Sequence, residues 1–263
     1  MSKSNSLFNN SIYNVLYKLL NVIFPLVSSA YVSHVLLAVG VGRIASAQNI
    51  AQYFVLVAAL GLPNYGTREI AKVRDDNGMK NETFSELFLI NLVSTILCSV
   101  AYYGLILGNK FFDSNRSLYL IVGLSIVFNA INIDWLYQGL EDYKYIAARS
   151  FAIIIISLIS LVIFVRSEND CEIYALIYVL AIAGNYIFNI INLKKKNINF
   201  CFNEIKIKRH IKPVMILLCT TIAIELYTLL DTTMLTYLSS SENVAYYTNS
   251  IKIVRILITA VSA

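Results

Sequence analysis

Long apolar runs alternate with short polar stretches along the chain, and most runs are near the roughly 20 residues an α-helix needs to cross a bilayer. They predict spans near 13–35, 44–65, 87–107, 117–137, 149–165, 173–193, 213–237 and 244–263. Leu87 to Asn109 and Ile173 to Leu193 contain no charged residue. Ser28-Ser29-Ala30 has the small-x-small form of a signal-peptide cleavage site, but the polar start holds one lysine, Lys3, and seven more spans follow. The first run therefore reads as an uncleaved helix.

Inside the runs, polar residues fall on single helical faces. Ser11, Asn14, Lys18, Asn21, Pro25 and Ser28 step by three and four, which puts them on one side of the first helix. Thr248, Lys252, Arg255, Thr259 and Ser262 repeat the arrangement in the eighth run. Two cationic faces imply an interior able to hold an anion. The plain alternative is that Lys18 and Lys252 snorkel to the head groups, a route less open to Arg255 near mid-membrane. In the seventh run Glu225 shares a face with Thr221, Thr228 and Thr232, and Asp231 points elsewhere. These acids read either as ion-pair partners for Lys252 and Arg255 or as a site for a coupling proton or cation. The amide stripes Asn129/Asn132 and Asn185/Asn189/Asn192 read as interhelical hydrogen bonding or as sugar-binding positions.

Charge placement gives an orientation. Fourteen of the 21 Lys and Arg residues lie in one set of loops, seven of them between residues 194 and 212; Arg43, Lys110, Arg116 and Arg166 lie in the alternate set. The positive-inside rule then makes the N-terminus and the basic loops cytoplasmic. The domain reading is a six-helix bundle over 1–193, a basic cytoplasmic linker over 194–212 compatible with lipid head-group contact, and the first two helices of a second bundle over 213–263. Because the eighth run ends at Ala263 without a closing loop, the chain reads as C-terminally truncated.

Composition excludes the soluble classes. Only 14% of residues are charged and 57% are hydrophobic, where soluble domains average about 25% charged residues. The fold class expected is all-α, a polytopic helical membrane protein. Cys98, Cys171, Cys201 and Cys219 form no C-x-x-C pair, and two histidines, His34 and His210, are too few for a zinc site. No phosphate loop or nucleophile elbow occurs, so neither an enzyme nor a cofactor is expected, and nothing points to nucleic acid.

Two segments carry a resemblance. One is Tyr53–Asp76, with the core G-x-P-x-Y-G-x-R-E-I-A at Gly61–Ala71; the other is Asn129–Ser150, with Asp134-Trp135 and Gln138-Gly139-Leu140-Glu141-Asp142. Together with Asp231–Lys252 they resemble the oligosaccharide repeat-unit flippases, Wzx, of the multidrug/oligosaccharidyl-lipid/polysaccharide exporter superfamily. On the residues themselves, Gly61 and Pro63 are expected to break the second span, Gly66 to allow a turn before Arg68 and Glu69, and Trp135 to sit in an interfacial aromatic belt. Glu141 and Asp142 read as solvated loop charges or as a gate paired with Arg68, Arg74 or Lys144. His34 and Leu36-Leu37 depart from the family pattern at the outer end of the first helix.

The resemblance implies an alternating-access transporter of the bacterial cytoplasmic membrane. Its cargo would be an undecaprenyl-diphosphate-linked oligosaccharide for O-antigen or capsule synthesis, its neighbours membrane lipids, with a polysaccharide polymerase and chain-length proteins as partners. Carried over residue by residue, the diphosphate role falls on Lys18, Arg43, Lys252 and Arg255, and Asp134, Glu225 and Asp231 are coupling or ion-pair candidates. The rivals are a peptidoglycan-precursor flippase of the same superfamily, a multidrug antiporter and an inactive fragment.

Overall fold

The computed structural model describes residues 28–201 and 205–262, apart from the side chains of 227, 228 and 255–262. Its regular elements are all helical among the described residues. They are α1 (28–35), α2 (Leu37–Ala59), α3 (Leu62–Val73), α4 (Asn77–Gly108), α5 (Arg116–Phe128), α6 (Asp134–Gly139), α7 (Tyr143–Phe164), α8 (Cys171–Asn192), α9 (Lys208–Leu238) and α10 (Ser241–Ser262). Among the described residues five segments are long and apolar enough to cross a membrane: Leu37–Val73, Asn77–Gly108, Lys110–Ile131, Tyr143–Phe164 and Cys171–Asn192. A sixth is reached if the two arms of α9, which meet at 50°, count as one span. The protein is an all-α, multi-pass membrane protein. The expected span 13–35 falls mostly outside the described residues, and α10 is helical but too polar to be among the five.

Polarity runs inward. On α4, Asn91, Ser94 and Thr95 are buried while Leu97 is 66% and Val100 69% exposed. On α7, Ile156 and Ile159 are exposed and Ser157 is buried. Apolar faces turned outward suit a hydrocarbon solvent, and the polar groups hold the helices together within it.

Two expected spans are broken. The run over 44–65 stops at Ala59, where Leu60 and Gly61 take left-handed conformations (φ 50° and 72°). Pro63 then sits in the first turn of α3, where its missing N–H costs nothing. The run over 117–137 divides into α5, a 3₁₀ turn (Asn129–Ile131) and α6. The carbonyls freed there are met by Asn91, whose Nδ2 donates to Asn129 O at 2.6 Å and Ala130 O at 3.2 Å. Asn129 returns a bond to Thr95 Oγ1 at 3.1 Å. Asn129 is thus an interhelical hydrogen-bonding residue.

Helix α4 is 32 residues long, about 48 Å at 1.5 Å per residue against a hydrocarbon core of about 30 Å. Its first turns carry Asn81, Ser85 and Glu86, which accept hydrogen bonds from the backbone of the segment that follows α8. Helices α9 and α10 pack on α2. Gly42 of α2 lies directly against the Ser241 backbone, so a Cβ there would collide with it.

Candidate functional site

Lys252 lines a cavity of about 220 Å³ between α2, α8, α9 and α10. Gln48, Asn49 and Gln52 come from α2, Tyr178 from α8, Thr232 from α9 and Thr248 from α10. The half-buried lysine donates from Nζ to Asn249 Oδ1 at 3.4 Å, and Asn249 Nδ2 donates to Ser33 Oγ of α1 at 3.1 Å. The α2 wall is fixed by α9, where the side chains of Asn49 and Tyr53 both hydrogen-bond the Thr233 hydroxyl, at 2.7 and 2.8 Å. An ammonium beside amides and hydroxyls can take an anion.

Of the other cations expected to share this role, only Arg43 has a described side chain. Arg43 is exposed and does not line the cavity; it precedes the lining residue Ala45 by two positions, which is about 200° around the helix. Lys18 lies outside the described residues, as does the side chain of Arg255. Asp231 accepts from Tyr247 Oη at 2.5 Å on the exposed side of α9 and α10. Neither Asp231 nor Glu225 is among the residues lining the cavity.

A second cavity, of about 210 Å³, shares Tyr178 with the first as a lining residue. Its floor is a charge pair: Arg149 Nη1 lies 3.0 Å from Asp134 Oδ1, with the arginine side chain 3% exposed. Asn189 bridges the two, accepting from Arg149 and donating from Nδ2 to Asp134 Oδ1 at 2.6 Å. Arg149 is one of the fourteen cations assigned above to the basic loops, at the first position of the expected span 149–165. The structure corrects this, because α7 begins at Tyr143 and carries Arg149 in its second turn. Nothing local reveals this cluster, whose three members come from α6, α7 and α8.

The G-x-P-x-Y-G-x-R-E-I-A and D-W-x-x-Q-G segments interlock. Gly66 is not a turn but a helical residue of α3, and a Cβ on it would lie 2.7 Å from the Trp135 ring. Trp135 is correspondingly 2% exposed rather than placed in an interfacial belt. Gly139 lies equally close to Ile70, and Thr67 Oγ1 donates to Gln138 Oε1 at 3.3 Å. The charges of these segments sit at the rim. Glu69 pairs with Lys72 at 2.6 Å, Glu141 with Arg74 at 2.7 Å and Asp142 with Lys196 at 2.5 Å, while Arg68 is exposed.

A third polar group, unforeseen from the sequence, ties α4 to α9. Glu86 is 1% exposed; its Oε2 accepts from Arg209 Nη2 at 2.5 Å and from His210 Nε2 at 2.7 Å, and its Oε1 accepts from Lys206 N at 2.6 Å. His210 Nδ1 in turn lies 2.8 Å from Tyr65 Oη. With Nε2–H facing the carboxylate, Nδ1 is the acceptor for the tyrosine hydroxyl. The segment between α8 and α9 is thus partly bound to α4, with Cys201 N also donating to Ser85 Oγ at 2.8 Å. The only sequence signal was an acid directly abutting the uncharged run from Leu87.

Among the described residues no cluster of His, Cys, Asp or Glu could hold a metal ion. The family model described as "Polysaccharide biosynthesis protein" matches residues 7–262. No curated protein and no solved structure matches the chain.

Proposed function

The chain belongs to the polysaccharide biosynthesis protein family, and from that membership we propose that it is a transporter. It flips undecaprenyl-diphosphate-linked oligosaccharide units across the bacterial cytoplasmic membrane for O-antigen or capsule synthesis. The observation that carries the reading is Lys252, an ammonium set in the wall of a polar cavity between four helices of a membrane protein. A diphosphate crossing hydrocarbon must exchange its water for other donors, because an unpaired charge there costs several kcal/mol or more. Lys252 supplies the countercharge, and Gln48, Asn49, Gln52 and Thr248 supply hydrogen bonds in place of solvent. The polyprenyl tail stays in the bilayer, and no bond is made or broken.

In this reading the end of the molecule holding α3, α6 and the residue 194–201 segment faces the cytoplasm, in keeping with its basic residues. The test is a flipping assay on liposomes containing the purified chain and a fluorescent polyprenyl-diphosphate oligosaccharide. Loss of the protected inner-leaflet signal faster than in protein-free vesicles supports the function. Equal rates with and without protein overturn it.

A further inference from the structure

We propose that the cavity over Asp134 and Arg149 is a subsite for one glycosyl ring of the cargo; the proposal rests on the lipid-linked cargo reading above. Three observations point to an uncharged, hydroxyl-rich ligand. First, the cavity's charges cancel locally. Asp134 is matched by Arg149 at 3.0 Å, so an added cation would meet the guanidinium and an added diphosphate the carboxylate.

Second, donors and acceptors remain unspent side by side. Arg149 lines the cavity while making its bonds to Asp134 and Asn189 through Nη1 alone, and the bonds that Asp134 accepts from Arg149 and Asn189 both fall on its Oδ1. Asn185 donates to its own helix at Ala181 O and is approached by Ser150 Oγ only at 3.4 Å, leaving amide capacity toward the cavity. A sugar hydroxyl both donates and accepts, and a guanidinium, a carboxylate and an amide on one wall answer both needs.

Third, size and position fit. The volume of about 210 Å³ is below the roughly 300 to 1,000 Å³ of drug-sized sites, which favours a single ring over a whole oligosaccharide. Tyr178 walls both this cavity and that of Lys252. An elongated cargo with its diphosphate at Lys252 therefore directs its neighbouring sugar past an aromatic face, a surface on which rings pack well, toward Arg149 and Asp134.

The experiment measures binding to the full chain in lipid nanodiscs. The probes are bare polyprenyl diphosphate and the same lipid carrying one N-acetylglucosamine, N-acetylgalactosamine, glucose or galactose. Wild type should bind at least one glycosylated lipid about tenfold more tightly than the bare one. Asn185→Leu and, independently, Ser157→Val, each filling the cavity with apolar atoms, should erase that difference. Thermal melting of both variants identifies any that fails to fold, and the other then decides. No sugar-dependent gain in wild type, or a gain that survives in a folded variant, overturns the subsite while binding of the bare lipid upholds the cargo reading. Binding of none of the lipids refutes the cargo reading and the subsite with it.

Discussion

Gly66 of α3 and Trp135 of α6 are in van der Waals contact so close that a single added methyl would lie 2.7 Å from the indole. Residues 69 positions apart thereby join two short helices that the breaks at Gly61 and Asn129–Ile133 set free from the long spans. The contact explains why the two segments carry small and aromatic residues, in terms of packing rather than chemistry.

Gly66→Ala should destabilise the protein by about 1–3 kcal/mol, the usual cost of overpacking a filled core. Gly104, whose added Cβ meets nothing within 4 Å, serves as the control. Thermal melting in detergent should show a lower midpoint for Gly66→Ala and none of that loss for Gly104→Ala.

Much of this architecture is legible in the sequence and some of it is not, for physical reasons. Uncharged runs such as Leu87–Asn109 and Ile173–Leu193 announce α4 and α8 because hydrocarbon tolerates little else. The break at Gly61 is visible because glycine and proline act locally. Arg149, Asn189 and Asp134 meet only through tertiary packing, and Glu86 lies 124 positions from His210, so one-dimensional periodicity carries no trace of either cluster. Arg43 does not line the Lys252 cavity, since a cation's helical face, not its presence, decides which cavity it serves.

Removing one member of the Asp134–Arg149 pair leaves the other buried and unmatched. Asp134→Asn and Arg149→Gln should each cost about 3 kcal/mol, at the low end for a broken buried pair because Asp134 is partly exposed. The double variant should cost less than the two losses added together. Additive losses in denaturant unfolding would show that the two residues do not interact.

Glu86→Gln should loosen the attachment of α9 to α4, since the carboxylate serves Arg209, His210 and the Lys206 amide at once. Hydrogen exchange should rise in the α9 start and the segment after Asn197, with α7 and α8 unchanged. An unaltered exchange pattern would contradict the role given to this group.

The turn before α8 makes a prediction with pH. Backbone N–H groups of Arg166 and Ser167 donate to Asp170 and hold its carboxyl below the ordinary range. A lowered folded value stabilises the fold above the unfolded carboxylate value of about 3.9, and that stabilisation is lost as pH falls through the lower value. Asp170→Asn should therefore flatten the acid limb of the melting curve against pH. Identical limbs in both proteins would exclude the linkage.

The central claim is that Lys252 carries the diphosphate of a lipid-linked cargo, and flipping by Lys252→Gln in liposomes tests it most directly. With folding confirmed by an unchanged melting midpoint, the account predicts a rate at least about tenfold below wild type, equivalent to roughly 1.4 kcal/mol, and substantial recovery in Lys252→Arg. A Lys252→Gln protein that flips the labelled lipid as fast as wild type would contradict it.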